Sequence, residues 1–438
     1  MKVSEKKHSS RRQGARLSEN DLKTLLFLGN QRLLKTQQLY MYRKAIEPNT
    51  KENSFSEKVR RWRKDYQLIK DHEYTLGIDG FRYKYYRITK NGVDTLIQHG
   101  LLSSSWDDVQ ISKFSDITNI DHFLGTQEVV IRAIIDNISI EIESLVPNQY
   151  VYSDKMNPDL KLVQPDWILK LGDLHLNIEF DTGNENLSVI KDKVQRYIIY
   201  CKQNPNERHV VFLTVIDESF RTRKNYGSVR NKRVGNMKNT LFYLNDLNIP
   251  NLTVYILPLQ RVHYVLNNVI RGLQPYSERM KRIEPNTVFT LLGEHNKYFE
   301  YTVKGLPLHS VYEKSNINQE YQADFAACIS NKSGTVKENV LAVLTEEGNA
   351  QILDKINNLS RLALENRFDI PISKILVLYK ETHQRVNDIL SIDAPNVLIG
   401  DIEELKKNIN KEPIFYMKNG LYTAMKGVTY EGQLHSYA

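Results

Sequence analysis

From residue 164 the chain reads QPDWILKLGDLHLNIEFD, and few architectures can use such a stretch. Strand side chains alternate between the two faces of a sheet. In LHLNIEFD, Leu174, Leu176, Ile178 and Phe180 therefore share one face, and His175, Asn177, Glu179 and Asp181 share the other. On the strand before it, Trp167, Leu169 and Leu171 alternate with Asp166, Ile168 and Lys170. Gly172-Asp173 supplies a tight turn between them. The hairpin then brings Asp166 towards Glu179, with Asp181 two residues farther on the same side. Converging carboxylates are hard oxygen ligands suited to Mg²⁺ or Mn²⁺. A metal held by them can activate a water and stabilise charge on a phosphodiester. A surface hairpin with solvated acids is the plainer alternative.

The surrounding segments alternate helix and strand. Residues 121–137 carry an apolar stripe of Phe123, Val130, Ile131 and Ile134. YVYSDKM reads as a short strand, NLSVIKDKVQRYIIYCK as an amphipathic helix and HVVFLTVID as a buried strand. The expected order is helix, three strands, helix, strand.

Upstream lies a different pattern. SENDLKTLLFLGN has an N-cap candidate in Ser18, and LLKTQQLYMYRK offers a second helix starting at Lys35-Thr36. The third helix is expected in SEKVRRWRKDYQLIKD, capped by Ser56. On it Val59, Trp62, Tyr66 and Ile69 share a face, while Arg60, Arg61, Arg63 and Lys64 crowd the others. YTLGIDGFRYKYYRITKNGVDTLIQHG then reads as strand, Asp79-Gly80 turn, strand, and a helix begun by Thr89. Three helices followed by a basic hairpin form the winged helix-turn-helix pattern. Its third helix would enter the major groove of double-stranded DNA, with Arg82 and Lys84 lying against the minor groove or the phosphates. A winged helix used for protein contact is the alternative, and the arginine density of the third helix argues for DNA.

The net charge of +8 favours a polyanionic partner without naming it. Lys2, Lys6, Lys7, Arg11, Arg12 and Arg16 fall in a Ser-rich opening expected to stay flexible, as a phosphate-neutralising arm or a solvated tail. Two cysteines give neither a disulfide framework nor a CxxC pair. The opening has no apolar stretch of a signal peptide, and no run reaches the length of a membrane span. A cytoplasmic location without a membrane partner is expected. The histidines form no closely spaced cluster.

The element order and the Pro165-Asp166 … Glu179-Phe180-Asp181 spacing resemble the PD-(D/E)XK nuclease superfamily. The resemblance implies an α/β core in which Asp166 and Glu179 are metal ligands. Asp181 stands where a lysine is usual and is taken as a third or outer ligand. Some members place the lysine on the following helix, where Lys193 stands with Tyr197 one turn on. The catalytic set expected is therefore Asp166, Glu179, Asp181 and Lys193. The basic run SFRTRKNYGSVRNKRVGNMKN, with Arg221, Arg223, Lys224, Arg230, Lys232 and Arg233, would be a backbone-binding strip or a solvated loop.

A winged helix followed by a PD…ExD core and a K…RY helix also resembles the replication-relaxation family of plasmid and conjugative-element proteins, over roughly residues 18 to 260. That likeness implies a role in replication, DNA relaxation or mobilisation, with metal-dependent nicking and with other replication or relaxosome proteins as partners. A non-catalytic accessory factor or transcriptional regulator, using its α/β parts as scaffold and homodimer contact, is the alternative.

The last third echoes the middle. Gln164-Pro165-Asp166-Trp167 is matched by Gln322-Ala323-Asp324-Phe325, and Phe180-Asp181-Thr182-Gly183-Asn184 by Thr345-Glu346-Glu347-Gly348-Asn349. An amphipathic helix and an apolar strand follow in both. This alignment puts Leu344 at the position of Glu179, so the second copy is expected to be degenerate. The reading is thus a multi-domain α/β chain: a basic tail at 1–17, a winged helix at 18–104, a nuclease-like domain at 118–285 and its eroded copy at 286–438.

Overall fold

The computed structural model describes residues 16–76, 81–103, 120–147, 149–220, 230–242, 244, 246–274, 288, 290, 301–315, 317–331, 333–335, 337–390, 394–411, 413–418 and 425–428. They are mixed α/β with several sheets and divide into two compact units, one through Ile120 and one from Asp121 onward.

The first unit opens with α1 (Glu19–Asn30), β1 (Leu34–Lys35) and α2 (Thr36–Ile46). Ser18 and Asp21 cap α1 reciprocally: the Ser18 N–H donates to Asp21 Oδ2 at 3.0 Å, and the Asp21 N–H donates to Ser18 Oγ at 3.2 Å. α3 spans Glu52–Lys64, starting four residues before Ser56. Phe55, Val59 and Trp62 form its buried stripe, because Phe55 lies one turn ahead of Val59 and extends that face backwards. The helix ends at Lys64, and Gln67 has a φ of +56°. Tyr66 and Ile69 therefore lie off the helix, and Ile69 opens β2 (Ile69–Leu76). β2 pairs antiparallel with β3 (Phe81–Ile88), and β1 pairs on the other side of β3. The expected Asp79-Gly80 turn lies outside the described residues. Thr89 caps α4 (Lys90–Gln98) by accepting from the Gly92 N–H at 3.3 Å. Asp21 of α1 is ion-paired at 2.8 Å with both Arg43 of α2 and Lys58 of α3, which pins the three helices together.

In the second unit, α5 (Ile120–Asp136) and β4 (Glu143–Leu145) precede the two-stranded pair β5 (Tyr152–Ser153) and β6 (Lys161–Val163). Then come β7 (Trp167–Leu171), β8 (Leu174–Asp181), α6 (Leu187–Gln203), β9 (Arg208–Val215), α7 (Arg230–Phe242), β10 (Leu252–Pro258) and α8 (Leu259–Ile270). The five-stranded order is β10-β9-β8-β7-β4, parallel from β8 to β10 and antiparallel from β8 to β4. The strand expected in YVYSDKM is short and pairs outside this sheet, whose third antiparallel member is Glu143–Leu145. The Glu179 face packs on α6 and α7 through Ile168, Val194, Val211, Val234 and their neighbours. The Phe180 face lies under α5, where a Cβ on Gly125 would fall 2.3 Å from the Phe180 ring, so only glycine lets the helix come this close.

The second half of this unit repeats the plan. It holds β11 (Tyr301–Leu306), α9 (His309–Tyr312), β12 (Phe325–Asn331), β13 (Lys337–Thr345), α10 (Ala350–Leu364), β14 (Lys374–Tyr379), α11 (Thr382–Asn387), β15 (Val397–Asp401), α12 (Ile402–Lys407), β16 (Phe415–Lys418) and β17 (Met425–Val428). β12 and β13 are antiparallel, and β13, β14 and β15 parallel, as are β7 with β8 and β8 with β9 and β10. One correspondence shifts by a residue. Phe325 pairs with Ala342 as Trp167 does with Ile178, so Val343, not Leu344, occupies the position of Glu179. Three residues instead of two then lie between the clasped backbone N–H (Leu344, Phe180) and the positive-φ glycine (Gly348, Gly183).

The two halves share a core, with Ala350 and Ile389 packing among the side chains of α6 and α7. Asn349 bridges Tyr255 on the edge strand β10, and the Ile256 N–H donates to the Gly348 carbonyl at 2.8 Å. Gly348 has a φ of +84°, and a Cβ there would sit 2.4 Å from the Leu257 side chain. Gln351 Nε2 donates to the carbonyls of Leu247 (2.8 Å) and Leu252 (2.7 Å). Lys238 of α7, fully buried, donates to Asp388 at 2.7 Å and to the Ile389 carbonyl at 3.0 Å. An otherwise open sheet edge is thereby covered. Among the described residues no helix is long and apolar enough to cross a membrane.

Candidate functional site

Asp166 immediately precedes β7, and the Trp167–Ile178 pairing sets it beside Glu179 of β8. The Phe180 N–H donates to Asp166 Oδ2 at 2.8 Å, so the side chain prolongs the ladder by one rung after β7 has ended. The same oxygen lies 3.2 Å from His122 Nε2, on the first turn of α5. Glu179 is only 2% exposed. The Tyr197 hydroxyl donates to its Oε1 at 2.7 Å and Lys193 Nζ to its Oε2 at 3.1 Å. Both come from α6, which Asn186 caps by accepting from the Ser188 N–H. Lys193 and Tyr197 are one turn apart and so reach the same carboxylate. Glu185 Oε1 lies 3.6 Å from Lys193 Nζ. The side chains of Asp166 and Lys193 are about a quarter exposed (24% and 25%), so solvent reaches the group past them while Glu179 lies at its floor.

Burial pushes the Glu179 carboxyl well above the usual carboxylate range, and the neighbouring charge of Asp166 adds to this against the pull of Lys193. Burial alone would lower the Lys193 ammonium, but Glu179, Asp166 and Glu185 outweigh it and hold its pKa high. Burial likewise opposes a charge on His122, yet the Asp166 carboxylate raises it. Three carboxylates thus gather about one lysine. An all-oxygen donor set with a desolvated, proton-hungry member suits a small hard dication.

Asp181 takes a different partner. Arg233 of α7 grips it through Nε (2.8 Å) and Nη2 (3.1 Å), and the Gly183 N–H donates to it at 3.1 Å. The structure therefore brings Asp166, Glu179 and Lys193 together and engages Asp181 with an arginine read from sequence as part of a basic strip. Neither His122 nor Glu185 belongs to a recognisable spacing in the sequence.

On the first unit, Arg61 and Lys64 are exposed on α3. Arg60, also exposed, forks onto Glu57 at 2.8 and 2.6 Å, and Arg63 is paired with Asp71 of β2. Lys84 is exposed on β3, 3.7 Å from Asp71 and 3.8 Å from Glu73. The Arg82 side chain and residues Arg221, Arg223 and Lys224 lie outside the described residues.

The family model for replication-relaxation proteins matches residues 25–216. Over that span the chain is similar to the replication-relaxation family. No curated protein matches the chain. The matched segment runs from within α1 to the residue after β9, so it takes in α3, the β2–β3 hairpin and the whole Asp166–Glu179–Lys193 group. Arg233 lies beyond it.

Proposed function

We propose that this protein binds double-stranded DNA through a winged helix in its first unit and nicks DNA through a PD-(D/E)XK-like core, during replication, relaxation or mobilisation of a mobile element. The observation that carries the reading is the meeting of Asp166, buried Glu179 and Lys193 on one hairpin and its following helix. The family match over the same residues supports it. Asp166 and Glu179 would hold Mg²⁺ or Mn²⁺, with Asp181 acting only through Arg233. The cation, when bound, supplies Lewis acidity and an activated water. The chain's own residues do the rest. Tyr197 fixes Glu179 by its hydroxyl, the Phe180 N–H and His122 fix Asp166, and the Lys193 ammonium would stabilise negative charge growing on the phosphoryl oxygens. Arg61 and Lys64 would contact DNA most directly, since Arg60 and Arg63 already have acidic partners.

A second reading, a non-catalytic accessory factor or transcriptional regulator, is favoured by one observation: the usual lysine position is Asp181, and an arginine already neutralises it. Incubation of supercoiled plasmid with the wild type and with Glu179→Ala in Mg²⁺ or Mn²⁺ separates the two. Nicking by the wild type alone is expected. An unchanged plasmid that both proteins still shift on a gel would leave the accessory role. DNA affinity lost in Arg61→Ala, with a shallower salt dependence, is expected under either reading. An unaltered affinity would remove α3 as the DNA-contacting helix.

A further inference from the structure

We propose that His175, Glu207 and His209 form a second metal site, for a borderline transition-metal ion such as Zn²⁺, at the opposite end of β8 from Glu179. His175 and His209 are register partners on the parallel strands β8 and β9, so their imidazoles stand side by side on the same face, with ring centroids 4.7 Å apart. Glu207 comes just before β9, its backbone fixed by donation to the Asn204 carbonyl (3.2 Å) and acceptance from Asn251 Nδ2 (3.1 Å). Its Oε2 lies 3.1 Å from His209 Nε2 and 3.9 Å from His175 Nδ1. One ligand atom from each of the three falls within 4.8 Å of the other two, a convergence found in no other trio among the described residues.

His209 is 1% exposed, and the ring nitrogen that meets Glu207 Oε2 is its Nε2. Partners that would orient ligands are present around it. The Tyr152 hydroxyl donates to Asn177 at 2.6 Å and lies 3.2 Å from His175 Nδ1, and the Tyr200 hydroxyl donates to Glu207 Oε2 at 3.2 Å. The Glu207 side chain is 35% exposed, which provides a way in from solvent. Two imidazoles and a carboxylate suit zinc, whereas the all-oxygen group at Glu179 suits magnesium. Four residues of strand, roughly 13 Å at ~3.3 Å each, separate the two sites. An ion here would clip the start of β8 to the start of β9.

The test is calorimetric titration of the chelator-treated full chain with Zn²⁺, with metal content by mass spectrometry and the fold checked by circular dichroism. Expected are one Zn²⁺ per chain in the wild type, an affinity lowered by at least ~10-fold in Glu207→Gln, loss in His209→Asn, and no change in Asp166→Asn. Glu207→Gln keeps both histidines and a partly exposed position, so it reports even if His209→Asn does not fold. A natively folded wild type that takes up no Zn²⁺, a Glu207→Gln variant that binds like the wild type, or binding abolished instead by Asp166→Asn would overturn the proposal.

Discussion

Asp166 and Asp324 occupy the same place in the two halves of the second unit. Each stands just ahead of a strand and takes a backbone N–H onto its Oδ2, from Phe180 at 2.8 Å and from Leu344 at 2.7 Å. Each also has a lysine from the following helix nearby: Lys193 is 3.1 Å from Glu179, and Lys355 is 3.3 Å from Asp324 itself. The difference is one residue. Glu179 faces Asp166 in the first half, and Val343, fully buried, faces Asp324 in the second. Without the second carboxylate, Lys355 turns to the aspartate and the pair closes on itself. The acids of the second copy are used elsewhere: Tyr255 donates to Glu346, and Arg261 forks onto Glu347 at 2.6–3.0 Å, both across to the first half. An aspartate clasp and a helix lysine are thus features of the fold, and Glu179 is what distinguishes a candidate site from a scaffold.

The largest effect should come from separating the halves. Lys238→Met would leave Asp388 buried without its cation, a loss of ~3–5 kcal/mol, measured by chemical denaturation. A change near zero would mean that the second half folds independently of the first. Next, Asp166→Ala and Asp324→Ala should each cost ~1–3 kcal/mol by orphaning one backbone N–H, Asp324→Ala being the costlier because Lys355 loses its carboxylate as well. Only Asp166→Ala should lose stabilisation by added Mg²⁺. Equal Mg²⁺ responses in both variants would break the distinction between the copies. The smallest effect is one of pH. The Glu179 carboxyl is raised above its ordinary value of 4.5, so the folded state holds its proton more tightly and pays for the charge as pH rises through that window. Glu179→Gln should therefore melt higher than the wild type at about pH 8 without metal, and show no such gain at about pH 4. A gain of the same size at both would show that Glu179 is not held unfavourably charged.

Much of this was legible locally. The caps at Ser18 and Thr89 and the adjacency of Asp166 and Glu179 all follow from signals within a few residues or from a two-residue period. α3 starts ahead of Ser56, a good cap in isolation, because Phe55 buries a turn that only the packed unit can recognise. In the second copy the extra residue between the clasped N–H and the glycine is visible only through Asp324 and its hydrogen bond, so sequence alone sets Leu344 rather than Val343 opposite Glu179.

Alternation with period two belongs to the strand itself, so the sequence alone determined which residues share the Glu179 face. It could not determine their partners. Asp181 and Glu179 lie two residues apart on one strand, yet Asp181 meets Arg233, 52 residues on, and Glu179 meets Lys193 and Tyr197. His175 and His209 meet only because β8 and β9 pair in parallel register. Such choices rest on which distant element buries each group, since a charge out of water must be paired by whatever side chain the packing delivers. Only the tertiary structure decides that.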